Sequence, residues 1–169
     1  MVSLGFRDSK VSDLRPLAGL PLGSLCIRSS ALTDLSPLSQ TPITSLYLNS
    51  DNLVDLGPLK ETKLKTLSLG CPKLTDLSAL RHLRLEYMNL RGSGVTDLSS
   101  LEGISVEVID FDIEPLTRGL DVLRGIKALR QINSCETEGF WNERDGKKPE
   151  GEDSNAVDPF EEPQQEQSK

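Results

Sequence analysis

The sequence predicts an α/β repeat fold: a solenoid whose stacked units share one elongated core. The pair Asp-Leu recurs at one fixed interval of 21 residues, at Asp13, Asp34, Asp55, Asp76 and Asp97. Apolar residues follow the same interval in further columns, such as Leu25, Leu46, Leu67 and Met88. A period of about 20 to 50 residues is typical of repeat arrays, in which each unit contacts only its neighbours.

Each unit combines a strand pattern with a ridge pattern. The unit 43–59 reads L-x-x-L-x-L-x-x-x-x-L-x-x-L-x-x-L, with Ile43 in the first position. Its L-x-L part alternates with period two, which indicates a half-buried strand, and its L-x-x-L-x-x-L part has period three, which suits a 3₁₀ turn or an extended ridge. This unit resembles the leucine-rich repeat. We therefore expect a concave parallel β-sheet and a convex side of short 3₁₀ or extended turns.

The pattern divides the chain into three parts. Six units span residues 1–123, and residues 124–142 form a C-terminal cap. There Leu123, Ile126, Leu129 and Ile132 fit a helix that covers the last repeat, with Phe140 and Trp141 as lids, because terminal repeats need a covering element. Residues 143–169 hold nine acids and four bases with few apolar residues, which predicts a disordered acidic tail.

The recurring Asp has a structural interpretation. In Thr33-Asp34-Leu35-Ser36-Pro37-Leu38, the Asp fits a cap that accepts hydrogen bonds from backbone N–H groups of the following turn. Pro16, Pro37 and Pro58 then occupy early turn positions, where a missing N–H does no harm. A calcium site is disfavoured, because the L-x-P-L context lacks the alternating acids and Gly of a calcium loop.

Two segments carry a closer family resemblance. The repeats "TDLSPL" at residues 33–38 and the terminal "LRGIKALRQIN", followed by Phe140-Trp141, resemble a leucine-rich repeat type of planctomycete bacteria. In larger relatives such arrays often lie beside Ser/Thr kinase domains. This chain contains no G-x-G-x-x-G, H-R-D or D-F-G motif, so the resemblance implies a binding array without an activity.

Composition excludes several function classes. The net charge of −7 disfavours nucleic acid as a partner, and no apolar run reaches the ~20 residues that span a membrane. Three cysteines, Cys26, Cys71 and Cys135, are widely separated, and no signal sequence is evident, which indicates reduced thiols and a cytoplasmic location. One histidine and scattered cysteines indicate neither an enzyme nor a metal site, and no cofactor is expected.

The side chains that flank the strand leucines should line the concave face. The fourth unit contributes only Thr66, Ser68 and Gly70 there. This predicts a shallow depression with one wall formed by Tyr47 and Asn49 and a second wall formed by Tyr87, Asn89 and Arg91. Tyr and Arg are enriched at binding hot spots, although Tyr also favours strands and Arg also keeps a surface soluble. The candidate partner-binding residues are Arg28, Tyr47, Asn49, Thr66, Ser68, Tyr87, Asn89 and Arg91.

These observations lead to a primary hypothesis and an alternative. The first is a non-catalytic protein-protein interaction module that binds a protein or peptide on the concave face. The alternative is a repeat region with a structural or regulatory role in a larger protein, such as a Ser/Thr kinase-like parent. Leu4 and Phe6 already belong to a strand with nothing ahead of it. We therefore expect that first repeat to continue a longer array, to fray, or to self-associate.

Overall fold

The computed structural model describes residues 2–6 and 10–146. Within them, one sheet of eight strands follows the order of the chain. The strands are β1 (Val2–Phe6), β2 (Leu22–Arg28), β3 (Ser45–Asn49), β4 (Thr66–Gly70), β5 (Arg84–Asn89), β6 (Ser105–Asp110), β7 (Gln131–Ile132) and β8 (Cys135–Glu136). Neighbouring strands from β1 to β7 pair in parallel, and β8 pairs with β7 in antiparallel fashion.

The strand register reproduces the sequence period. Leu25 pairs with Leu46, Leu46 with Leu67, and Leu67 with Met88. All four side chains are fully buried, so each strand leucine packs on its equivalents in the neighbouring units. This continuous ladder of equivalent residues confirms the predicted leucine-rich repeat solenoid.

The convex side consists of short 3₁₀ turns. They span Arg15–Leu17, Ser36–Gln40, Gly57–Leu59, Ser78–Leu80, Ser99–Leu101 and Leu120–Gly125. Each of these turns buries one leucine, which in the third turn is Leu59. The period-three ridge of the sequence thus turns its apolar side toward the core and its remaining residues toward solvent.

The Asp column stabilises these turns. In all five units, Oδ1 of the Asp accepts a hydrogen bond of 2.7–2.9 Å from the backbone N–H two residues further on. The residue in the N-cap position is the Leu that follows each Asp, so the bond spans it. The predicted capping role of the Asp is confirmed, although the Asp stands one residue before the N-cap position.

The predicted helix through Leu123 and Ile132 is wrong. Residues Leu120–Gly125 form a 3₁₀ turn, and Gln131–Ile132 form β7, which pairs with β6 through Ile109 and Ile132. The apolar residues of this segment recur every third position, which matches the ridge of a repeat unit and not the i, i+4 spacing of an α-helix. The segment is therefore a shortened seventh unit, and it uses the same type of core.

The array ends at a hairpin and a helix. Asn133 and Ser134 both have positive φ, at 50° and 68°, and form the two-residue turn between β7 and β8. Such turns match the twist of antiparallel strands and reverse the chain. The helix α1 (Thr137–Arg144) follows at once and buries Phe140 and Trp141, so the covering helix lies later than predicted. Most of the predicted tail, 147–169, lies outside the described residues.

A cation and two aromatic rings stabilise this cap. The rings of Phe140 and Trp141 meet edge to face, with 5.1 Å between centroids and an interplanar angle of 84°. The guanidinium of Arg124 lies 3.8 Å from the Trp141 ring centroid and donates to both carboxylate oxygens of Asp145, at 2.7 and 3.0 Å. Arg124 thereby links the last 3₁₀ turn to the end of α1.

Candidate functional site

The concave face is formed by the side chains that alternate with the buried leucines. In β3, Leu46 and Leu48 are buried, whereas Tyr47 is 42% exposed and Asn49 is also exposed. Because the strands pair in parallel at equivalent positions, Tyr47 lies between Cys26 and Ser68. On the concave face, the exposed residues at one position of the repeat therefore form a row across the strands, and their identity differs from unit to unit.

A depression lies in the middle of this face. Its volume is about 380 Å³, and we call it the concave depression. It is lined by Cys26, Ile27, Arg28, Tyr47, Leu48, Asn49, Ser68, Gly70 and Arg91. Five of the eight predicted partner-binding residues are among them: Arg28, Tyr47, Asn49, Ser68 and Arg91.

The other three predicted residues lie outside the depression. Thr66, Tyr87 and Asn89 belong to the same face but do not line it. The Tyr87 hydroxyl donates to Oδ2 of Asp110 at 2.8 Å, and Oδ1 of Asn89 accepts from the backbone N–H of Arg91 at 2.9 Å. The polar groups of Tyr87 and Asn89 thus bond to other groups of the protein. Because its hydroxyl bonds to Asp110, Tyr87 does not line the depression as the predicted second wall.

The bond between Tyr87 and Asp110 fixes the neutral form of the phenol. Burial raises the pKa of Tyr87, and the hydrogen bond to the Asp110 carboxylate raises it further. A neutral hydroxyl is the donor that this contact requires. Tyr87 therefore links β5 and β6 through a polar contact on the concave face.

The concave depression carries positive charge. Two arginines and no carboxylate line it. Nη2 of Arg91 is 3.7 Å from Oδ1 of Asp110; the Arg91 side chain is 52% exposed, while that of Asp110 is only 14% exposed. Because a pair at this separation is a loose contact, the guanidinium of Arg91 keeps donors available toward the depression.

Gly70 forms part of the floor, and its lack of a side chain leaves space for the Asn49 amide. An added Cβ there would lie 2.6 Å from Nδ2 of Asn49. The Asn49 amide consequently lies over the neighbouring strand and contributes to the floor of the depression. The small residues of the fourth unit indicated this depression in the sequence, and the repeat register places Cys26 on the same face beside Tyr47.

The arrangement offers aromatic, cationic, amide and hydroxyl groups for contact with a ligand. In residues 2–6 and 10–146, no three His, Cys, Asp or Glu side chains are grouped so that they could hold a metal ion. The thiols of Cys26, Cys71 and Cys135 are free, and burial raises the pKa of the Cys71 thiol, which disfavours the reactive thiolate. Within the same residues, no helix is both long and apolar enough to cross a membrane.

Comparison with known proteins supports the fold. No protein family model matches the chain, and no curated protein sequence matches it. Among solved structures, it is similar to an internalin (inlF) from Listeria monocytogenes, with a TM-score of 0.54 and 24% sequence identity. The match covers 73% of this chain and 44% of the internalin. The chain thus spans less than half the length of that structure, and the similarity concerns the solenoid fold.

Proposed function

We propose that the protein is a non-catalytic interaction module that binds a protein or peptide segment at the concave depression. The observation that carries this proposal is the composition of the depression: an exposed aromatic ring, two arginines, and amide and hydroxyl groups on one rigid sheet. Tyr and Arg at the centre of a surface are typical binding anchors. The proposed contact residues are Arg28, Tyr47, Asn49, Ser68 and Arg91.

The shape of the site favours an extended or looped segment of a protein. The depression spans the strands from β2 to the end of β5, so its two arginines are about three strand spacings apart, roughly 14 Å. Charge complementarity favours a partner segment that presents an acidic group near Arg91 and an apolar or aromatic group against Tyr47.

A capture experiment with a matched control tests this proposal. The wild type, Tyr47→Ala/Arg91→Ala and Val54→Ala/Arg118→Ala would be immobilised and exposed to a bacterial lysate, with captured proteins identified by mass spectrometry. Val54 and Arg118 are exposed and do not line the depression. We expect a protein that is retained by the wild type and by the control but lost by the first variant. Equal retention by all three would contradict the concave site.

A second candidate role is that of one part of a longer repeat assembly. Within the described residues, β1 pairs only with β2, and Val2 is 48% exposed. An unpaired strand edge is a template for further pairing, either with additional repeats or with a second copy of the chain. Light scattering of the wild type and of Val2→Lys tests self-association. If two copies pair through this edge, the wild type should form a dimer at high concentration, and Val2→Lys should remain a monomer.

The sequence resemblance and the cysteines also support a proposed type of source organism and a proposed cellular location. The "TDLSPL" repeats and the "LRGIKALRQIN" segment favour a bacterial, planctomycete-type repeat protein. The scattered free cysteines favour a cytoplasmic location. Fractionation of the source cells, followed with an antibody to the protein, would test the cytoplasmic location.

A further inference from the structure

A second hollow lies at the edge of the sheet where β4 and β5 begin. Its volume is about 500 Å³, and we call it the basic hollow. Four cations, Lys60, Lys63, Lys65 and Arg84, line it together with the exposed His82, and Glu61 is its one acidic residue. The hollow is separate from the concave depression, since the two share no lining residue.

The cations depart from the pattern of the repeat. Residues 18–23 and 39–44, at or just before the start of β2 and β3, contain no charged residue, and the only charged residues at the equivalent positions 102–107 are the acids Glu102 and Glu107. The leucine core does not require a base at these positions, because their side chains are exposed to solvent. Lys63 and Arg84 nevertheless occupy the same repeat position in two adjacent units.

Most of this charge is available to a ligand. Nζ of Lys65 lies 2.6 Å from Oε1 of Glu86, and this contact raises the pKa of Lys65. In residues 2–6 and 10–146, neither Lys60, Lys63 nor Arg84 forms an ion pair. Three exposed cations therefore surround one hollow and form no ion pair with any described residue.

The chain itself contains a complementary segment. Residues 149–168 carry seven acids and no base, in a protein whose net charge is −7. These acids are Glu150, Glu152, Asp153, Asp158, Glu161, Glu162 and Glu166. The charge of this segment is opposite to that of the basic hollow, and no other segment of comparable length is as uniformly acidic.

We propose that the acidic segment 149–168 docks on the basic hollow of its own chain. The described part ends at Gly146, and β7 lies three strands from β4, about 14 Å along the solenoid. A chain extends by up to ~3.4 Å per residue, so ten residues after Gly146 reach up to ~34 Å, more than twice that strand separation. A short tether supplies an effective concentration in the millimolar range, which allows weak ionic contacts to hold the segment.

Zero-length cross-linking of the full chain with a carbodiimide tests the contact. The reagent joins carboxylates to amines that are already in contact, and peptide mapping locates each new amide. We expect cross-links from 149–168 to Lys60 or Lys63, with a yield that does not change on dilution. The yield should fall several-fold in about 1 M salt, where the Debye length is ~3 Å. The pair of Lys65 and Glu86 serves as the internal positive control.

Lys127 provides the control for proximity alone. It lies in the terminal unit, close to the start of the acidic segment in the sequence, and it is not part of the hollow. Cross-links that favour Lys127 over Lys60 and Lys63 would overturn the proposal, as would their absence while Lys65 and Glu86 react. A yield that falls on dilution would replace the intramolecular contact with one between two copies.

Charge variants of the full chain make the test specific. Lys63→Gln/Arg84→Gln should lower the yield at Lys60 several-fold, whereas Lys73→Gln/Arg118→Gln, outside the hollow, should not change it. His82, the one histidine of the chain, gives a separate non-covalent signal. Its imidazole proton resonance, at fixed pH, should shift when Glu152, Asp153, Glu161 and Glu162 are neutralised to Gln or Asn. An unchanged resonance would overturn the proposal.

Discussion

The units of β2–β4 and the segment after β6 use different means to stabilise one continuous core. In the units, the same contacts recur every 21 residues, such as Leu46 on Leu67 and the Asp55 cap of its turn. After β6, the ladder continues through Ile109 and Ile132, and further contacts that occur only once end the array. Asn133 accepts from the backbone N–H of Phe111 at 2.8 Å, and Arg124 joins Trp141 to Asp145. Periodic contacts extend the array, whereas the single contacts end it.

The largest expected effect is that of a cavity in the middle of the stack. Leu67 is fully buried between Leu46 and Met88, so Leu67→Ala removes packing from three units at once. We expect the free energy of unfolding to fall by about 2–5 kcal/mol, measured by urea denaturation. Val54→Ala, at a side chain that is 57% exposed, should change it by less than about 0.5 kcal/mol. If Leu67→Ala lowers the free energy of unfolding by less than about 0.5 kcal/mol, the shared core is contradicted.

Damage to the cap should have a more local effect. Trp141 is buried beneath Arg124, and Trp141→Ala removes this contact as well as the edge-to-face contact with Phe140. Because each unit of a solenoid contacts only its neighbours, we expect faster amide exchange in β7 and α1 and little change in β3. The urea midpoint should fall less than for Leu67→Ala. Equal acceleration across β3 and α1 would show that the cap supports the entire array.

This difference also explains what the sequence could predict. The repeat period predicted the strands, the 3₁₀ turns and the Asp caps, because each of these contacts occurs many times and its pattern is visible above local variation. The helix was placed wrongly at Leu123–Ile132, because its apolar residues follow the period of the ridge, and no repeated signal marks the hairpin at Asn133 and Ser134.

The concave depression was predictable to the same degree. The columns followed from the register, so Arg28, Tyr47, Asn49, Ser68 and Arg91 could be brought together from the sequence. The role of Tyr87 could not, because it depends on a single hydrogen bond to Asp110 in the neighbouring unit. The direction in which a side chain turns on a sheet is decided by its particular neighbours, and periodicity contains no information about them.

A smaller effect is expected from a glycine that permits the seventh unit to pack closely. Gly119 has a φ of 81°, and an added Cβ would lie 2.3 Å from the backbone nitrogen of Ser99. Gly103 has a similar φ of 84° with nothing within 4 Å, so it is a matched control. Gly103→Ala should cost about 1–2 kcal/mol in unfolding free energy from conformation alone. Gly119→Ala should cost more, and equal losses would contradict the close backbone contact.

The smallest effect concerns the pH dependence of the Asp caps. Hydrogen bonds from the Arg15 side chain, and then from its backbone N–H, lower the pKa of Asp13 from its ordinary 3.8 to about 2. Because the folded pKa lies below the ordinary value, the cap's contribution is complete above pH 3.8 and is lost as the pH falls through 2. Asp13 is exposed, so solvent screening keeps the contribution small.

The sharpest test of this cap is a direct titration by NMR. We expect the Asp13 carboxyl carbon to titrate near pH 2 in the wild type and closer to 3.8 in Arg15→Gln, which loses the guanidinium but keeps the backbone N–H. Asp34 provides the comparison. Its pKa is also lowered, first by the Ser36 hydroxyl and then by the Ser36 backbone N–H, without a nearby arginine partner. If Arg15→Gln leaves the Asp13 titration unchanged, the backbone bond that all five units share dominates. The five caps would then be equivalent, and the Arg15 side chain would not contribute to the lowered pKa of Asp13.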